Sequence, residues 1–307
     1  MILTVTLNPS IDIRYNINNF LLGKINRVFE YDKTIGGKGL NVTRVIKKLG
    51  EEVLSTGFLG GKLGEEFEER LNSIGIKNDF QKISDKTRNC INILHNGIST
   101  EILESGPIIK ENEWENFKYK FKFLSESCKF ISVSGSLPDG LSYSSYFELI
   151  EIANKNQCKV FLDTSGEALK KSLKAKPYFI KPNLEELENL SNKTLTNIEE
   201  IINEAKNIND IGIKIVAVTL GENGAVVVSK EKILMAKNPH VKVLNTVGCG
   251  DSFVSGFITA SHRGYSLEDS FKLAIACGIS NALLPDTGNI CLDTVNKLIN
   301  QINIKNY

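Results

Sequence analysis

The chain has 307 residues, a length that predicts about two domains or one large α/β domain with an insertion. It carries 37 basic and 36 acidic residues, for a formal net charge of +1, and this balance argues against a dedicated nucleic-acid-binding protein, which would carry a basic excess. A hydrophobic content of 41% and a charged content of 24% are ordinary for a globular protein and argue against disorder on the scale of a domain.

The first part of the chain alternates strand and helix patterns. Residues 2–7 are an apolar run that predicts a buried strand ending at Asn8-Pro9, and residues 11–17 alternate apolar and polar side chains, as a half-exposed strand does. Residues 38–50 and 63–75 each place apolar side chains on one helical face and end in a glycine. A glycine is favoured just past a helix C-terminus, so both segments are predicted to be helices.

Residues 87–104 interrupt this alternation. Asn96-Gly97 lies between two alternating runs, and this dipeptide in that setting is the strongest short signal for a β-hairpin. Together with residues 10–34, the hairpin is expected to form a small second sheet outside the main one.

The rest of the chain repeats strand and helix. Strands are predicted at 129–133, 159–162, 178–180, 213–219 and 225–228, and a further strand-like stretch lies at 241–244. Helices are predicted between the first four of these strands. Repeated βαβ order predicts a parallel sheet that is covered by helices on both sides.

Cysteine and histidine usage excludes several classes of protein. None of the six cysteines forms a C-x-x-C pair, and the three histidines are far apart, so neither a disulfide scaffold nor a zinc site is expected. No apolar run reaches the roughly 18 residues that a membrane-spanning helix needs. We therefore expect a soluble cytoplasmic protein with reduced thiols that binds neither membranes nor nucleic acid.

The most informative motif is the glycine-rich segment 245–253, which precedes a helix pattern. Gly248 and Gly250 would let backbone N–H groups converge on an anion at the start of that helix. Asp251 would be repelled by an anion, but it fits a general base that takes a proton from an attacking hydroxyl. The alternative is a helix N-cap after a glycine-rich turn.

Two further segments carry polar groups beside glycine or at a helix start. At 36–41, glycines precede Lys38 and Asn41, which could hold a phosphate and hydroxyl groups; a flexible turn with a solvated lysine is the alternative. At 181–187, Asn183 and Glu186 are three residues apart and would share one side of a helix start. They could approach a metal and phosphates, or they could form a capping box.

Three charged residues lie in the region predicted to form the second sheet. Asp12 could accept hydrogen bonds from sugar hydroxyls or be an exposed strand residue. Arg27 and Arg88 could hold a substrate phosphate, for which guanidinium groups are well suited. As isolated arginines they would be ordinary surface residues.

Taken together, these segments resemble the PfkB (ribokinase-like) family of small-molecule kinases. The matching motifs at 6–12, 36–41 and 247–256 occur in the family's order, and the resemblance covers nearly the whole chain. It implies an α/β fold with a doubly wound, mainly parallel sheet flanked by helices and a small β-sheet lid. Residues 1–307 would form one kinase domain, with a lid from about 10–34 and 87–104 through which the protein would form a homodimer.

The resemblance also implies roles for individual residues. Asp251 would be the catalytic base, with the backbone of Gly248, Cys249 and Gly250 holding the transferred phosphoryl group. The sugar would be held by Asp12, Gly37, Lys38, Asn41 and Ser136, with Arg88 and Arg27 near its phosphate. ATP would be held by Lys181, Asn183, Glu186, Thr219, Gly221 and Gly224, with Asn281 on the purine side. Glu186 and Asn183 would reach Mg²⁺ through phosphates and water.

The resemblance further implies ATP-dependent phosphorylation of a ketohexose phosphate. D-tagatose 6-phosphate, converted to the 1,6-bisphosphate, is favoured, and 6-phosphorylation of fructose 1-phosphate is the closest alternative. A kinase of an uncharged nucleoside or vitamin is a second hypothesis, and a sugar-phosphate sensor without catalysis is a third. Arg27 and Arg88 argue against the uncharged substrate, and Asp251 argues against the sensor.

Cys249 departs from the family pattern, which usually has Ala or Ser at this position. A thiol at a helix N-terminus is expected to have a lowered pKa. On that basis Cys249 would be oxidisable and its modification would block the anion site; a buried, inert thiol is the alternative.

Overall fold

The computed structural model describes residues 1–96 and 98–307, which form one large and one small sheet with helices around them. The strands are β1 (Ile2–Thr6), β2 (Ser10–Asn16), β3 (Tyr31–Gly36), β4 (Val53–Gly60), β5 (Lys77–Asn78), β6 (Gln81–Ile83), β7 (Arg88–His95), β8 (Ile98–Leu103), β9 (Phe130–Ser134), β10 (Lys159–Asp163), β11 (Phe179–Ile180), β12 (Ile215–Thr219), β13 (Ala225–Ser229), β14 (Ile233–Ala236) and β15 (Ile304–Asn306). The helices are α1 (Lys38–Lys48), α2 (Gly61–Ser73), α3 (Glu111–Glu126), α4 (Ser145–Lys155), α5 (Gly166–Ser172), α6 (Leu184–Ser191), α7 (Ile198–Asp210), α8 (Cys249–His262), α9 (Leu267–Ala282) and α10 (Leu292–Ile299).

The large sheet has the strand order β15-β14-β13-β12-β11-β10-β9-β1-β4-β5, with β6 also beside β4. Every neighbouring pair from β5 to β12 is parallel, and the three strands beyond β12 pair antiparallel. The chain runs outward in both directions from β1, because β4 lies on one side of it and β9 on the other. The predicted doubly wound, mainly parallel sheet is therefore confirmed.

Helices cover both faces of this sheet, because successive side chains of a strand point to opposite faces. Leu3 and Val5 of β1 pack into the layer that contains α3, α4 and α7, whereas Ile2 packs into the layer of α1, α8, α9 and α10. The strands are therefore buried on both sides, as expected of parallel strands in such a fold.

The small sheet has the order β3-β2-β7-β8 and corresponds to the second sheet that the sequence predicted. We call it the lid sheet. Strands β7 and β8 pair antiparallel, with His95 opposite Ile98, whereas Gly97 of the predicted turn lies outside the described residues. Ile11 and Ile35 at the base of the lid sheet pack against Phe67 and Leu71 of α2, which ties the lid sheet to the main body.

One strand prediction is wrong. Residues 241–244 form no strand; Val243 and Leu244 are exposed, and the Leu244 N–H donates to the carbonyl of Ala282 at the end of α9 (2.8 Å). The alternation of apolar and polar residues in this segment therefore reflects a loop held against a helix end. Within the described ranges, no helix is both long enough and apolar enough to cross a membrane.

Candidate active site

The candidate site lies at the carboxyl edge of the large sheet, where ligands bind in open α/β folds. Parallel strands bring their ends to one edge, so residues distant in the chain meet there. Asp163 ends β10, Lys181 follows β11, and Lys38 begins α1. Helix α8 adds its N-terminus to the same place, since the Cβ of any side chain at Gly250 would lie 3.2 Å from Lys181 Nζ.

Helix α8 begins without a side-chain cap. Its N-cap residue is Gly248, in the left-handed conformation (φ 82°), and a Cβ at this position would lie 2.7 Å from the side chain of Thr287. The N-cap interpretation of Asp251 is wrong, because this residue is the third of the helix itself. The first N–H groups of α8 have no side-chain cap and are suited to an anion.

Asp251 is a buried acid with an unusual pKa. Its side chain is 5% exposed, and its Oδ2 accepts a hydrogen bond from Asn41 Nδ2 (2.7 Å). Burial, reinforced by the negative charge of Asp163, raises its pKa to about 6, although Lys38, Asn41 and Lys181 act in the opposite direction. An acid with such a pKa is a carboxylate at neutral pH and still accepts a proton readily, as a general base must.

Asp163 is the central acid of the site, and the sequence reasoning did not assign it a role. It is 1% exposed and lies 3.3 Å from Lys181 Nζ and 3.9 Å from Lys38 Nζ. Burial alone would raise its pKa, but the two ammonium groups outweigh burial and hold the pKa below its ordinary value. The available signal was a lone acid at the end of the apolar run 160–162.

The two lysines differ in exposure. Lys181 is buried, whereas 44% of the Lys38 side chain is exposed. Asp163 is the main cause of a raised pKa of Lys38, so this ammonium stays protonated. Lys38 can therefore present a full positive charge to a ligand from the open side of the site.

The glycine-rich entrance to α1 is shaped by the lid sheet. A Cβ at Gly36 would overlap the carboxyl group of Asp12 (2.1–2.2 Å), so a residue without a side chain is required where β3 meets α1. Asp12 is half-buried and accepts a hydrogen bond from Ser10 Oγ (2.6 Å). Its pKa is raised, chiefly by burial. Gly37 is the N-cap of α1, and Asn41 lies one turn inside that helix.

The predicted phosphate-binding arginines occupy different settings. Arg88 is half-buried at the start of β7 and donates to the carbonyl oxygens of Glu104 (2.9 Å) and Asn8 (3.3 Å), while its Nε has no partner among the described residues. Asn8 also donates to Ser136 Oγ (3.3 Å), which brings Ser136 to this side of the site. Arg27 is exposed in the segment between β2 and β3.

The predicted nucleotide-binding residues lie at the ends of β11 and β12. Asn183 and Glu186 form the capping box of α6: Glu186 N–H donates to Asn183 Oδ1 (2.7 Å) and Asn183 N–H donates to Glu186 Oε2 (2.9 Å). Asn183 pairs with Thr219, and Gly221 and Gly224 follow in the turn before β13. Within the described residues, no cluster of three or more His, Cys, Asp and Glu side chains could hold a metal ion.

The proposed purine contact of Asn281 does not fit its setting. The side chain is 0% exposed, its amide nitrogen donates to the carbonyl of Val247 (2.8 Å), and its amide oxygen accepts from Gly288 N–H (2.9 Å). Asn281 therefore joins the loop before α8 to the loop after α9, and its polar atoms are committed to that task.

The predicted lowering of the Cys249 pKa is wrong, because the pKa is raised. Burial raises its pKa; a hydrogen bond from Asn281 lowers it in part, and Asp251 raises it further. The position at a helix N-terminus does not overcome this desolvation, and the inert-thiol interpretation fits better.

Comparison with known proteins agrees with this geometry. Residues 5–294 match the profile of the pfkB family carbohydrate kinases. The chain is 42% identical to tagatose-6-phosphate kinase from Staphylococcus epidermidis over 309 residues, which cover 99% of both chains.

Solved structures show the same fold. Phosphofructokinase-2 from Escherichia coli is similar with a TM-score of 0.93 at 28% identity, covering 98% of each chain. The structure of that enzyme in complex with fructose-6-phosphate has a TM-score of 0.91 at 27% identity, with the same coverage.

The raised pKa of Cys249 predicts the order in which two of the cysteines are alkylated. Cys291 is exposed and its pKa is lowered, mainly by a hydrogen bond with Thr294, so it should react with iodoacetamide at pH 7.5 at least about tenfold faster than Cys249, because the thiolate is the reactive form. Peptide mass spectrometry over time measures both rates in one sample. Cys249 reacting first in the folded protein would contradict the prediction.

Proposed function

The chain belongs to the pfkB family of carbohydrate kinases, and from this premise we propose that it phosphorylates D-tagatose 6-phosphate at the C1 hydroxyl to give D-tagatose 1,6-bisphosphate. The family and the named relatives make it an ATP-dependent sugar kinase acting on a sugar phosphate. The observation that carries the proposed chemistry is the buried acid Asp251, with a pKa of about 6, in the first turn of an uncapped helix.

Asp251 would act as the general base. Its carboxylate takes the proton of the C1 hydroxyl, and the resulting oxygen attacks the γ-phosphorus of ATP while the bond to the ADP oxygen breaks. The backbone of Gly248, Cys249 and Gly250 would surround the transferred phosphoryl group, and Lys38 and Lys181 would balance its negative charge. Positioning and charge stabilisation of this kind supply most of the catalysis in phosphoryl transfer.

The sugar would occupy the space between the lid sheet and α1. Asp12, Gly37, Asn41 and Ser136 supply acceptors and donors for hydroxyl groups there. Arg88, with an Nε that lacks a partner among the described residues, would hold the 6-phosphate, and Arg27 would approach the same phosphate from the segment between β2 and β3.

The nucleotide would lie along the ends of β11 and β12. Lys181, Thr219, Gly221 and Gly224 would line its phosphate and ribose side. Asn281 would stabilise the phosphate loop from behind rather than contact the purine, because its amide is occupied.

A magnesium ion fits the acids of the site. Mg²⁺ is usually held by one or two carboxylates together with substrate phosphates and water, and Oδ2 of Asp163 has neither a hydrogen-bond nor an ion-pair partner among the described residues. We propose that Asp163, with Glu186 and Asn183 acting through water, holds Mg²⁺ on the ATP phosphates. The ion would neutralise phosphate charge when bound.

The alternative substrate is fructose 1-phosphate, since it also places a free hydroxyl and a remote phosphate at the two ends of a ketohexose. Tagatose 6-phosphate is favoured because the relative of that name is 42% identical over 99% of both chains, against 28% for phosphofructokinase-2.

We also propose that two copies associate through their lid sheets and that the protein works in the cytoplasm. All six residues of the edge strand β8 are exposed, among them Ile98, Ile102 and Leu103. An exposed apolar edge strand is a template for pairing with another chain. The six cysteines are free thiols, in keeping with a reducing compartment.

The first test measures substrate preference and the role of Asp251 as the general base. ADP release should be fastest with tagatose 6-phosphate among tagatose 6-phosphate, fructose 6-phosphate and fructose 1-phosphate, and Asp251→Asn should lower kcat about 100- to 10,000-fold. Asp293→Asn is the matched control, because Asp293 is an exposed acid in the first turn of another helix, α10. Preference for fructose 1-phosphate would select the alternative, and an active Asp251→Asn enzyme would exclude this base.

The pKa of Asp251 predicts an acid limit to activity. Because the base must be unprotonated and its pKa in the free protein is raised to about 6, kcat/KM should fall as the pH drops through about 6 and be constant from about 7 to 8. Steady-state assays from pH 5 to 8.5 measure this limb. The residual activity of Asp251→Asn should lack it, and a wild-type midpoint below about 5 would contradict the assignment.

Arg88 provides a test of phosphate recognition. Arg88→Ala should raise the KM for tagatose 6-phosphate about 10- to 100-fold, because a charged hydrogen bond contributes about 1.5–3 kcal/mol. Arg263→Ala is the control: this arginine follows the C-terminus of α8 and bonds Glu51 and the carbonyl of Leu49, at the opposite end of that helix from Asp251. An unchanged KM in Arg88→Ala would place the substrate phosphate elsewhere and reopen an uncharged substrate.

A further inference from the structure

Arg44, one turn into α1 beyond Asn41, makes three hydrogen bonds that join separate parts of the molecule. Its Nη1 donates to the carbonyl of Ile35 at the end of β3, and its Nη2 donates to Asn41 Oδ1 (2.6 Å) and to the carbonyl of Thr287 (3.0 Å) after α9. The sequence reasoning gave this arginine no role. It bonds Asn41, which in turn bonds the proposed base Asp251.

Asn41 stands between Arg44 and Asp251. Its amide oxygen accepts from Arg44, and its amide nitrogen donates to Asp251 Oδ2 (2.7 Å). The guanidinium group has donors only, so the oxygen of the amide must face Arg44. The nitrogen is thereby left facing Asp251. Without Arg44, the two ends of an amide are nearly equal in shape and either could face the acid.

We infer that Arg44 is a positioning residue that fixes the side-chain amide of Asn41, so that its nitrogen always faces the carboxylate of Asp251. This inference rests on the proposed role of Asp251 as the base. The amide donor holds one carboxylate oxygen, and the other is left for the substrate hydroxyl. If the amide turned over, its oxygen would face the acid, and that contact is favourable only when the acid is protonated.

The charges around Asp251 make this donor important. Asp163 on β10 raises the pKa of Asp251, whereas Lys38, Lys181 and the Asn41 amide lower it, and Arg44 itself lies within electrostatic range. Turning the amide removes a stabilising donor from the carboxylate and supplies an acceptor instead. Both changes raise the pKa of the base.

Gly288 holds the same pair from the other side. Its φ is +63°, and a Cβ there would lie 2.8 Å from Asn41 Oδ1 and 2.9 Å from Arg44 Nη2. A side chain at this position would therefore enter the contact between the two residues. This provides a second, independent way to disturb the arrangement without changing either of them.

The first experiment compares Arg44→Met, Arg44→Lys and wild type in kcat/KM against pH from 5 to 8.5. Arg44→Met keeps length and loses every donor, so the acid midpoint should rise from about 6 to about 7, lowering kcat/KM about fivefold at pH 6 and little at pH 8. Arg44→Lys keeps a cation that can only donate hydrogen bonds, so its acid midpoint should return most of the way to the wild-type value. Arg263→Met is the control, since Arg263 follows α8 at its far end and bonds Glu51 and the carbonyl of Leu49.

The second experiment uses Gly288→Ala, which should shift the midpoint in the same direction. Its control is Gly75→Ala, because Gly75 has nearly the same φ (+67°) but a Cβ at that position would have nothing within 4 Å. This pair decides the question if the Arg44 variants do not fold, as judged by circular dichroism and thermal unfolding.

The outcomes separate this inference from the proposed function. If Asp251→Asn keeps full activity, the base assignment fails. If Asp251→Asn is inactive but folded Arg44→Met keeps the wild-type midpoint, or loses activity equally at every pH, the positioning role is overturned and Arg44 is only structural. An unshifted midpoint in folded Gly288→Ala would overturn it as well.

Discussion

The buried carboxylate of Asp163 is the constraint on which the rest of the site depends. A charged group with an exposed fraction of 1% is costly to bury unless opposite charges accompany it, and here Lys181 and Lys38 lie at 3.3 and 3.9 Å. Those two ammonium groups stand beside the start of α8, where the helix dipole is also positive. Asp163 makes this accumulation of positive charge tolerable in the free protein, and its negative charge adds to the burial that raises the pKa of Asp251. One acid thus contributes both to the proposed anion site and to the raised pKa of the proposed base.

The fold explains why these groups meet. Parallel strands β9, β10 and β11 end at one edge, and α1 and α8 pack side by side on one face with their first turns at that edge. Glycines are needed where backbone or side chains come closest: Gly36 leaves room for the Asp12 carboxyl, and Gly248 leaves room for Thr287. The lid sheet borders the proposed sugar site without interrupting the main sheet, because its strand β2 follows β1 and its strand β3 precedes α1.

Local sequence patterns predicted much of this fold and candidate site, and they failed where packing between distant segments determines the structure. The buried strands and the capping box of Asn183 and Glu186 are set by neighbours in sequence; the strands were predicted, and the capping box was one of the two interpretations of its residues. Strands β14 and β15, at one end of the large sheet, are too short for a clear period. Residues 241–244 are strand-like in sequence but form a loop that is hydrogen-bonded to Ala282. The pKa of Cys249 and the ion pairs of Asp163 depend on side chains from distant segments, so composition and spacing could not predict them. The one sequence signal for Asp163 was its place at the end of the apolar run 160–162.

Asn41 and Arg44 differ in their hydrogen-bonding groups, and each side chain suits the role inferred for it. An amide can both accept from substrate hydroxyls and donate to a carboxylate, so it suits the junction of sugar and base, but it has no intrinsic preference for either orientation. A guanidinium removes that ambiguity because it cannot accept. The same guanidinium also bonds the carbonyl of Ile35 at the foot of the lid sheet and that of Thr287 beside Gly248. The Asn41 amide, and through it the proposed base Asp251, is therefore oriented from the two segments that would border the sugar and the transferred phosphoryl group. Phosphoryl transfer depends strongly on such alignment of the reacting groups.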